Sequence, residues 1–471
     1  MRTALPIALL VSSLASTPLV GNQAPPGTET NPPPWMARPL SLADCLNLAL
    51  QDNAQVLKAR QDLQVSHGLS VQTRAIAIPK LRATGAYSLV EDASVDRWTI
   101  TPSAAPPGGF PLIDPGDQTW SAGIRLVQSI YEGGRMASSI RIARLLREQA
   151  LAQFHAVLAD TAAEVRVAFC DVLLAEQQIV VNEESVALLQ KELQDSRRRF
   201  DAGTVPQFNV LRAEVELANA HPRLSRAKNA YRLAKNLLVH RLGATVPPDV
   251  WEDIPLRLDG TLETPQLTLD VPEAVRLALA RRPELVALRK SETLRREDVV
   301  QARAGSLPRL EGYAGYGARK SMFSPDLADE VHGWEIGVLA SWNLFDGSLT
   351  RGKVIEARAQ FERAQIDTED VARTIQLEVR SACSTLVEAW EVLEAQAKVL
   401  EQAREALRLA RARSEVGTGT QLDVLSAQTA LTEANTTRNR AKRDYAVARA
   451  RLERAIGAYV PELETKLAAQ D

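Results

Sequence analysis

The chain is short of the residues that do most protein chemistry. Its 471 residues include three cysteines, Cys45, Cys170 and Cys383, widely spaced and odd in number. Such a set excludes a disulfide framework and a four-thiolate zinc site, and leaves three small buried side chains as the expectation. The five histidines (67, 155, 221, 240 and 332) have no metal-ligand spacing, so no metal site is expected. There is no Walker loop, no G-x-S-x-G and no H-E-x-x-H. Gly108-Gly109 and Gly133-Gly134 are isolated pairs and read as turns. The expectation is a protein that is not an enzyme and carries no cofactor. An excess of charge is missing too: 56 Lys+Arg stand against 58 Asp+Glu, a net charge of -2. A phosphate-binding surface needs a basic excess, so no nucleic-acid partner is expected. Basic runs such as Arg197-Arg198-Arg199 read as solvated helix faces. Nor is there a run of 18 or more apolar residues, so no membrane-crossing helix is predicted.

What is present begins with an export signal. Arg2 precedes an apolar stretch, Ala4 to Leu14, then small residues and a Pro-rich segment. This is a short positive region, an apolar core too short to span and a cleavage zone. Residues 1–21 are assigned as the signal, with the cut between 15 and 24, and 22–39 as a Pro-rich segment. No cysteine follows the apolar run, so a lipid anchor there is not supported.

The remainder repeats itself once. Leu48-Ala49-Leu50 returns as Leu277-Ala278-Leu279, an offset of 229 that also relates Pro79 to Pro308 and Tyr87 to Tyr316. From Trp120/Trp334 onward the offset is 214, through Gly203-Thr204/Gly417-Thr418 and Tyr231/Tyr445 to Gly243/Gly457. The first copy therefore has the longer loop between Tyr87 and Trp120. Two repeats are assigned, 40–245 and 267–459, with a linker at 246–266 and a tail at 460–471.

Each repeat opens with a helical stretch, 42–77 or 271–306, that ends at a proline. Period-two alternation follows. Leu81, Ala83, Gly85, Tyr87 and Leu89 share one face of a strand, while Arg82, Thr84 and Ser88 share the other. Trp120, Ala122, Ile124 and Leu126 alternate with Ser121, Gly123 and Arg125 in the next strand. The second repeat gives Leu310, Gly312, Ala314, Tyr316 and Trp334, Ile336, Val338, Ala340. The strands are placed at about 81–95, 118–131, 310–322 and 332–345. Tyr87, Trp120, Tyr316 and Trp334 are candidate membrane-girdle aromatics.

A very long helix comes next in each repeat. Leu151, Leu158, Val165, Val172, Ile179, Val186, Leu193 and Phe200 recur every seven residues. Ala372, Val379, Leu386, Leu393, Leu400 and Leu407 do the same in the second repeat. Gly203 and Gly417 stop these helices. The return helices alternate large residues (Val210, Leu217, Leu224, Tyr231, Leu238) with alanines (Ala213, Ala220, Ala227, Ala234), which lets helix axes approach closely. By themselves such helices read as plain coiled-coil hairpins.

The strands decide between functions. Four strands cannot close a barrel, and an open edge in lipid leaves backbone groups unpaired at several kcal/mol each. The alternatives are a barrel shared by several chains or a soluble sheet. The latter would make the protein an exported periplasmic coiled-coil scaffold or spacer without a pore.

The arrangement resembles the TolC family of outer-membrane efflux and secretion ducts. The residues that carry the resemblance are Leu40 to Leu46, Pro79, Trp120-Ser121-Ala122-Gly123, Gln128 to Gly134, Phe200-Asp201-Ala202-Gly203 and Val416 to Leu425. The resemblance implies a mainly α protein with a small β part, forming a homotrimer in the Gram-negative outer membrane. Four antiparallel strands per chain would build a 12-stranded transmembrane β-barrel in lipid, continuous with a periplasmic α-barrel of long-helix hairpins. It implies a periplasmic adaptor and an inner-membrane RND or ABC-type pump as partners, in tripartite efflux or type I secretion. The family's paired gate acids map onto Asp423 and Ser426, so one acid is kept and one replaced, and Asn209 matches Asp423 in the first repeat. Three Asp423 carboxylates round one axis would attract cations. Thr420-x-x-Asp423 also reads as a helix start, and both roles can hold. Gly203, Thr204, Val205, Gly417, Thr418 and Gly419 are the expected adaptor-contact tips.

Overall fold

The structure, a computed structural model, describes residues 35, 38–91, 94, 116–246, 253–267, 270–322 and 324–458. The signal, most of the Pro-rich segment, Gly108-Gly109 and the tail lie outside the described residues. In chain order the elements are β1 (Leu40–Ser41), α1 (Leu42–Asp52), α2 (Ala54–Arg74), β2 (Lys80–Leu89), β3 (Gln118–Glu132), α3 (Arg135–Asp201) and α4 (Gln207–Leu242). The second half adds β4 (Leu258–Asp259), α5 (Val271–Arg281), α6 (Pro283–Arg303), β5 (Arg309–Lys320), β6 (Glu330–Ser341), α7 (Leu349–Glu415) and α8 (Gln421–Ala455). The two halves have the same order of long elements.

The opening helix of each half is broken rather than continuous. Asn53 is extended (ψ 128°), and its Oδ1 accepts the Gln55 N–H at 2.8 Å while its Nδ2 donates to the Arg241 carbonyl at 2.6 Å. An Asx side chain that caps a new helix competes with continuing the old one. In the second half Arg282 (ψ 122°) precedes Pro283, whose ring disfavours the helical region for its neighbour.

β2, β3, β5 and β6 form one antiparallel sheet in that order. Directly opposed residues lie on one face, so the register sorts the side chains into rows. Leu81, Leu126, Ala314 and Ile336 form one row; Ala83, Ile124, Tyr316 and Trp334 form the next. Arg82, Arg125, Gly315 and Glu335 form a row on the opposite face. The apolar face is uncovered: Trp334 is 77% exposed and Ile336 72%.

Tight left-handed turns join strand to helix. Gly133 and Gly134 have φ of 61° and 88°, and Gly347 and Ser348 have 67° and 74° at the equivalent place. α3 and α7 are each 67 residues, about 100 Å at 1.5 Å per residue. α3 packs along α4 and α8, and α7 along α8, so α4, α3, α8 and α7 lie side by side. The seven-residue stripe is buried from Leu158 to Leu193 apart from half-buried Ile179, but its end members Leu151 and Phe200 are exposed. On α4 the buried row is the alanines Ala213, Ala220 and Ala227, and the larger residues beside them are only half-buried down to Tyr231. Small side chains let α4 approach α3 closely.

Two cores lie halfway along the helices. One gathers Leu40, Cys45, Val165, Phe169, Val172, Leu238 and Leu242 with Ile254, Leu256 and Leu262 from the inter-repeat segment. That segment is a packed strap, pinned by the parallel pair β1–β4 and by the Lys235 Nζ bond to the Ile254 carbonyl at 2.8 Å. The other gathers Ala274, Leu285, Val379, Leu386, Tyr445 and Leu452. Tyr445, the counterpart of Tyr231, accepts the Leu267 N–H at 2.9 Å and donates to the Pro265 carbonyl at 3.2 Å. Cys45 and Cys383 are buried and Cys170 half-buried; desolvation pushes the Cys45 thiol up to about 12 and that of Cys170 to about 11.

Charge joins the halves. Asp171 on α3 accepts from Arg443 Nε on α8 at 2.7 Å; Arg166 meets Glu453 and Asp160 meets Arg454, each at 2.7 Å. Arg454 also bonds Glu284 on α6. These pairs are partly screened from water, where an ion pair is stronger than at an exposed site.

Candidate functional site: the sheet and the hairpin tips

The chemistry of this chain sits at its two ends. At the sheet end, Tyr87 stands opposite Trp120, and Tyr316 opposite Trp334. Trp120 Nε1 donates to the Leu327 carbonyl at 3.0 Å, which keeps the indole polar edge satisfied beside an apolar face. A second aromatic level lies toward the helices. Trp342 Nε1 donates to the Ser306 carbonyl at 3.1 Å, and Leu344 and Phe345 are exposed beside it. The eight steps from Trp334 to Trp342 span roughly 26 Å along the chain at 3.3 Å each. Tilted by about 35–45° as barrel strands are, this gives a height of roughly 18–22 Å, most of the roughly 25 Å apolar band of membrane barrels. The sequence placed Trp342 and Phe345 within a strand at about 332–345 without assigning them to a girdle; the ladder ends just before them, at Arg309–Ser341. Their density at the strand's end was the available signal.

On the sheet's apolar face, charge is confined to the rims, as in the opposed pair Lys320–Glu330 near Trp120. The opposite face carries Lys80, Arg82, Arg125, Arg309, Arg319, Glu132, Glu311 and Glu335. One face suits lipid and the other water. Among the described residues no helix is long and apolar enough to cross a membrane.

At the far end, the two turns are built alike. Gly203 (φ 71°) and Gly417 (φ 75°) take the left-handed conformation that ends a helix. The N–H groups of Thr204 and Thr418 each donate at 2.9 Å to the carbonyl five residues back, Arg199 or Arg413. Their hydroxyls donate to the same carbonyls, at 2.8 and 3.3 Å. Gly203, Thr204, Gly417 and Thr418 are exposed, while Val205 and Gly419 are half-buried. A Cβ at Gly419 would lie 2.9 Å from the Arg413 Cβ, so the loop closes tightly there. Exposed apolar side chains surround the turns: Val416, Phe208 and Leu422. The turns sit together, since Arg199 Nη1 donates to Ser414 Oγ at 3.3 Å and Gln421 bonds Ser196.

The helices that leave the turns start differently. Thr420 and Asp423 form a capping box: Asp423 N–H donates to Thr420 Oγ1 at 3.2 Å, and Thr420 N–H to Asp423 Oδ2 at 2.9 Å. These bonds from Thr420, with Arg413 nearby, hold the Asp423 carboxyl below the usual carboxylate range. Ser426 is exposed and donates back to the Asp423 carbonyl at 3.0 Å. In the first repeat Pro206 takes the place of Thr420, so no side chain caps α4, and Asn209 is half-buried in its first turn. Nearby, burial raises the Glu192 carboxyl despite a bond from Gln421. Among the described residues no group of three or more His, Cys, Asp or Glu is placed to hold a metal ion.

A two-faced sheet at one end of 100 Å helical hairpins defines an outer-membrane channel protomer. Comparison with known proteins agrees. The model of the outer membrane efflux protein family matches residues 45–244 and 274–458. The chain belongs to this family of transport ducts. It is 26% identical over 434 residues to the alkaline protease secretion protein AprF of Pseudomonas aeruginosa, covering 91% of this chain and 87% of AprF. It is 28% identical over 443 residues to the cobalt-zinc-cadmium resistance protein CzcC of Cupriavidus metallidurans, covering 92% and 94%. Among solved structures, the Vibrio cholerae outer membrane protein VceC superposes with a TM-score of 0.70 at 18% identity, over 88% of this chain and 96% of VceC. The outer-membrane channel OprN gives 0.72 at 19%, over 88% and 89%. The α-barrel and β-barrel channel fold, the outer-membrane location and the role of exit duct follow.

Proposed function

We propose that three copies of the chain share one twelve-stranded barrel and one helical tube, forming a passive exit duct that an inner-membrane pump and a periplasmic adaptor load from the tips. The observation that carries this reading is the sheet itself. β2 and β6 are its outer strands, each with one side unpaired among the described residues, and its apolar face is bare. In lipid every backbone polar group needs a partner, so the edge of β6 must meet the edge of β2 of the next copy. The helices support the same closure. α4 exposes Leu211, Val215, Leu233 and Leu237 at one edge of the layer, and α7 exposes Ile366, Leu377 and Val387 at the other. Two different edges that meet make a head-to-tail interface, which closes into a ring where the rotation between copies is closed.

The signal is removed on export, and the repeats at 40–245 and 267–459 supply two strands and one hairpin each. The turns at Gly203-Thr204-Val205 and Gly417-Thr418-Gly419 are adaptor contacts; exposed Val416 and Phe208 give a partner apolar surface to bury. Asp423, Ser426 and Asn209 ring the closed end of the tube, and threefold repetition of Asp423 makes closure sensitive to divalent cations. AprF is by name a protease secretion protein and CzcC a metal resistance protein, which supports secretion or efflux as the service of a duct of this kind. The pump that loads it is of the RND or ABC type. Membrane fractionation tests the reading: the protein should stay with the outer membrane through high salt and leave only in detergent. Release by salt alone would favour a periplasmic scaffold.

A further inference from the structure

We propose that the polar face of the sheet makes the outer-membrane segment of the duct favour anionic solutes, with Arg82 as the residue that sets this preference. The proposal rests on the barrel reading above and adds a specificity to it. The register places every charged strand residue. The apolar face carries charge only at its rims. The polar face carries five cations, Lys80, Arg82, Arg125, Arg309 and Arg319, against three carboxylates, Glu132, Glu311 and Glu335. The charges are unevenly paired. Arg125 Nε donates to Glu335 Oε1 at 2.8 Å, across the intervening strand β5, and its guanidinium lies 4.7 Å from the centre of the Tyr313 ring. Arg82 stands directly opposite Arg125, yet among the described residues no carboxylate forms an ion pair with it. Like charges opposed on a sheet are unfavourable, so this pairing is stable only where water or a passing anion screens it.

The wall beside this row is bare. The next row is Thr84, Gly123, Gly317 and Gly333, so little side-chain bulk shields the guanidiniums from the lumen. Threefold repetition would put three uncompensated Arg82 charges round one water-filled passage. Rings of Arg or Lys select anions by the same physics by which acidic rings select cations. The site is distinct from Asp423, which lies at the other end of the helices.

The test is the reversal potential of the full-length mature channel in planar bilayers under a potassium chloride gradient. Arg82→Glu should shift it toward potassium, lowering the chloride-to-potassium permeability ratio at least about twofold, and Arg82→Gln should shift it less in the same direction. Thr84→Ser, one row away, should leave it unchanged. Channels that form normally with Arg82→Glu and Arg82→Gln but keep the wild-type reversal potential would overturn the proposal and leave the duct reading intact. A wild-type chain that forms no channel at all would overturn both.

Discussion

Arg125 and Glu335 form an ion pair over the backbone of a strand that belongs to neither of them. The residue between them is Gly315. A Cβ there would sit 3.0 Å from the Ile124 carbonyl oxygen and 3.5 Å from the Glu335 carboxylate. A branched side chain at this position would push the pair apart and press on the ladder. Gly315→Val is therefore expected to reduce the yield of membrane-inserted protein. Gly85→Ala, whose added Cβ meets only the Ser121 carbonyl at 4.0 Å, should insert normally. Outer-membrane fractions compared by immunoblot check this pair.

Ser348 occupies a conformation suited to glycine. Its φ of 74° matches Gly134 at 88° in the first repeat. A left-handed conformation costs a residue with a Cβ roughly 1–2 kcal/mol. Ser348→Gly should raise the thermal unfolding midpoint, and Gly134→Ser should lower it. Circular dichroism of the detergent-solubilised protein reads both.

Asp423 has two assignments, and they separate experimentally. As a helix cap its carboxyl is held low, so its stabilising contribution is present above the unfolded value of 3.8 and lost as pH falls through the folded one. The protection of the first-turn amides of α8 against hydrogen exchange, relative to their intrinsic rates, should fall below about pH 4 in the wild type. As a gate, Asp423→Ala should increase single-channel conductance and the leak of large antibiotics, and abolish block by divalent cations. Thr420→Ala weakens the cap but keeps the carboxylate, so it should retain cation block. Unchanged conductance in Asp423→Ala would reject the gate.

Glu192 behaves oppositely. Burial raises its carboxyl, with Asp195 adding to the effect against Gln421, Arg199 and Arg411. A carboxyl raised on folding favours the folded state at low pH, an advantage lost as pH rises from the unfolded value of 4.5 through the folded one. Glu192→Gln should therefore stabilise the tip at pH 7 and change little at pH 4. The check is the difference between the two unfolding midpoints.

The repeat, the strand faces and the terminating glycines were legible in the sequence because each follows from a local rule. Leu81 and Tyr87 share a face by period-two alternation alone, and Gly203 and Gly417 sit where a seven-residue stripe stops. The breaks at Asn53 and Arg282 were masked by apolar periodicity that runs across them, though Asn53 as a cap and Pro283 were visible signals. The strap was hidden for a different reason. β1 and β4 are two residues each, too short for any period, and Leu256 is buried by helices far away in sequence. The exposure of Leu151 and Phe200 was not legible either, because a repeating apolar position does not reveal whether its partner lies on the same chain. The resemblance suggested a gate at Asp423 and Ser426, while the capping box was written in the spacing of Thr420 and Asp423.

The proposed duct requires copies of the chain to complete each other's sheet. Native mass spectrometry of the protein released from detergent micelles measures this directly. The expected result is a particle of three chains that persists when the ion pairs are weakened by salt. A single folded chain, free of bound lipid, would contradict it.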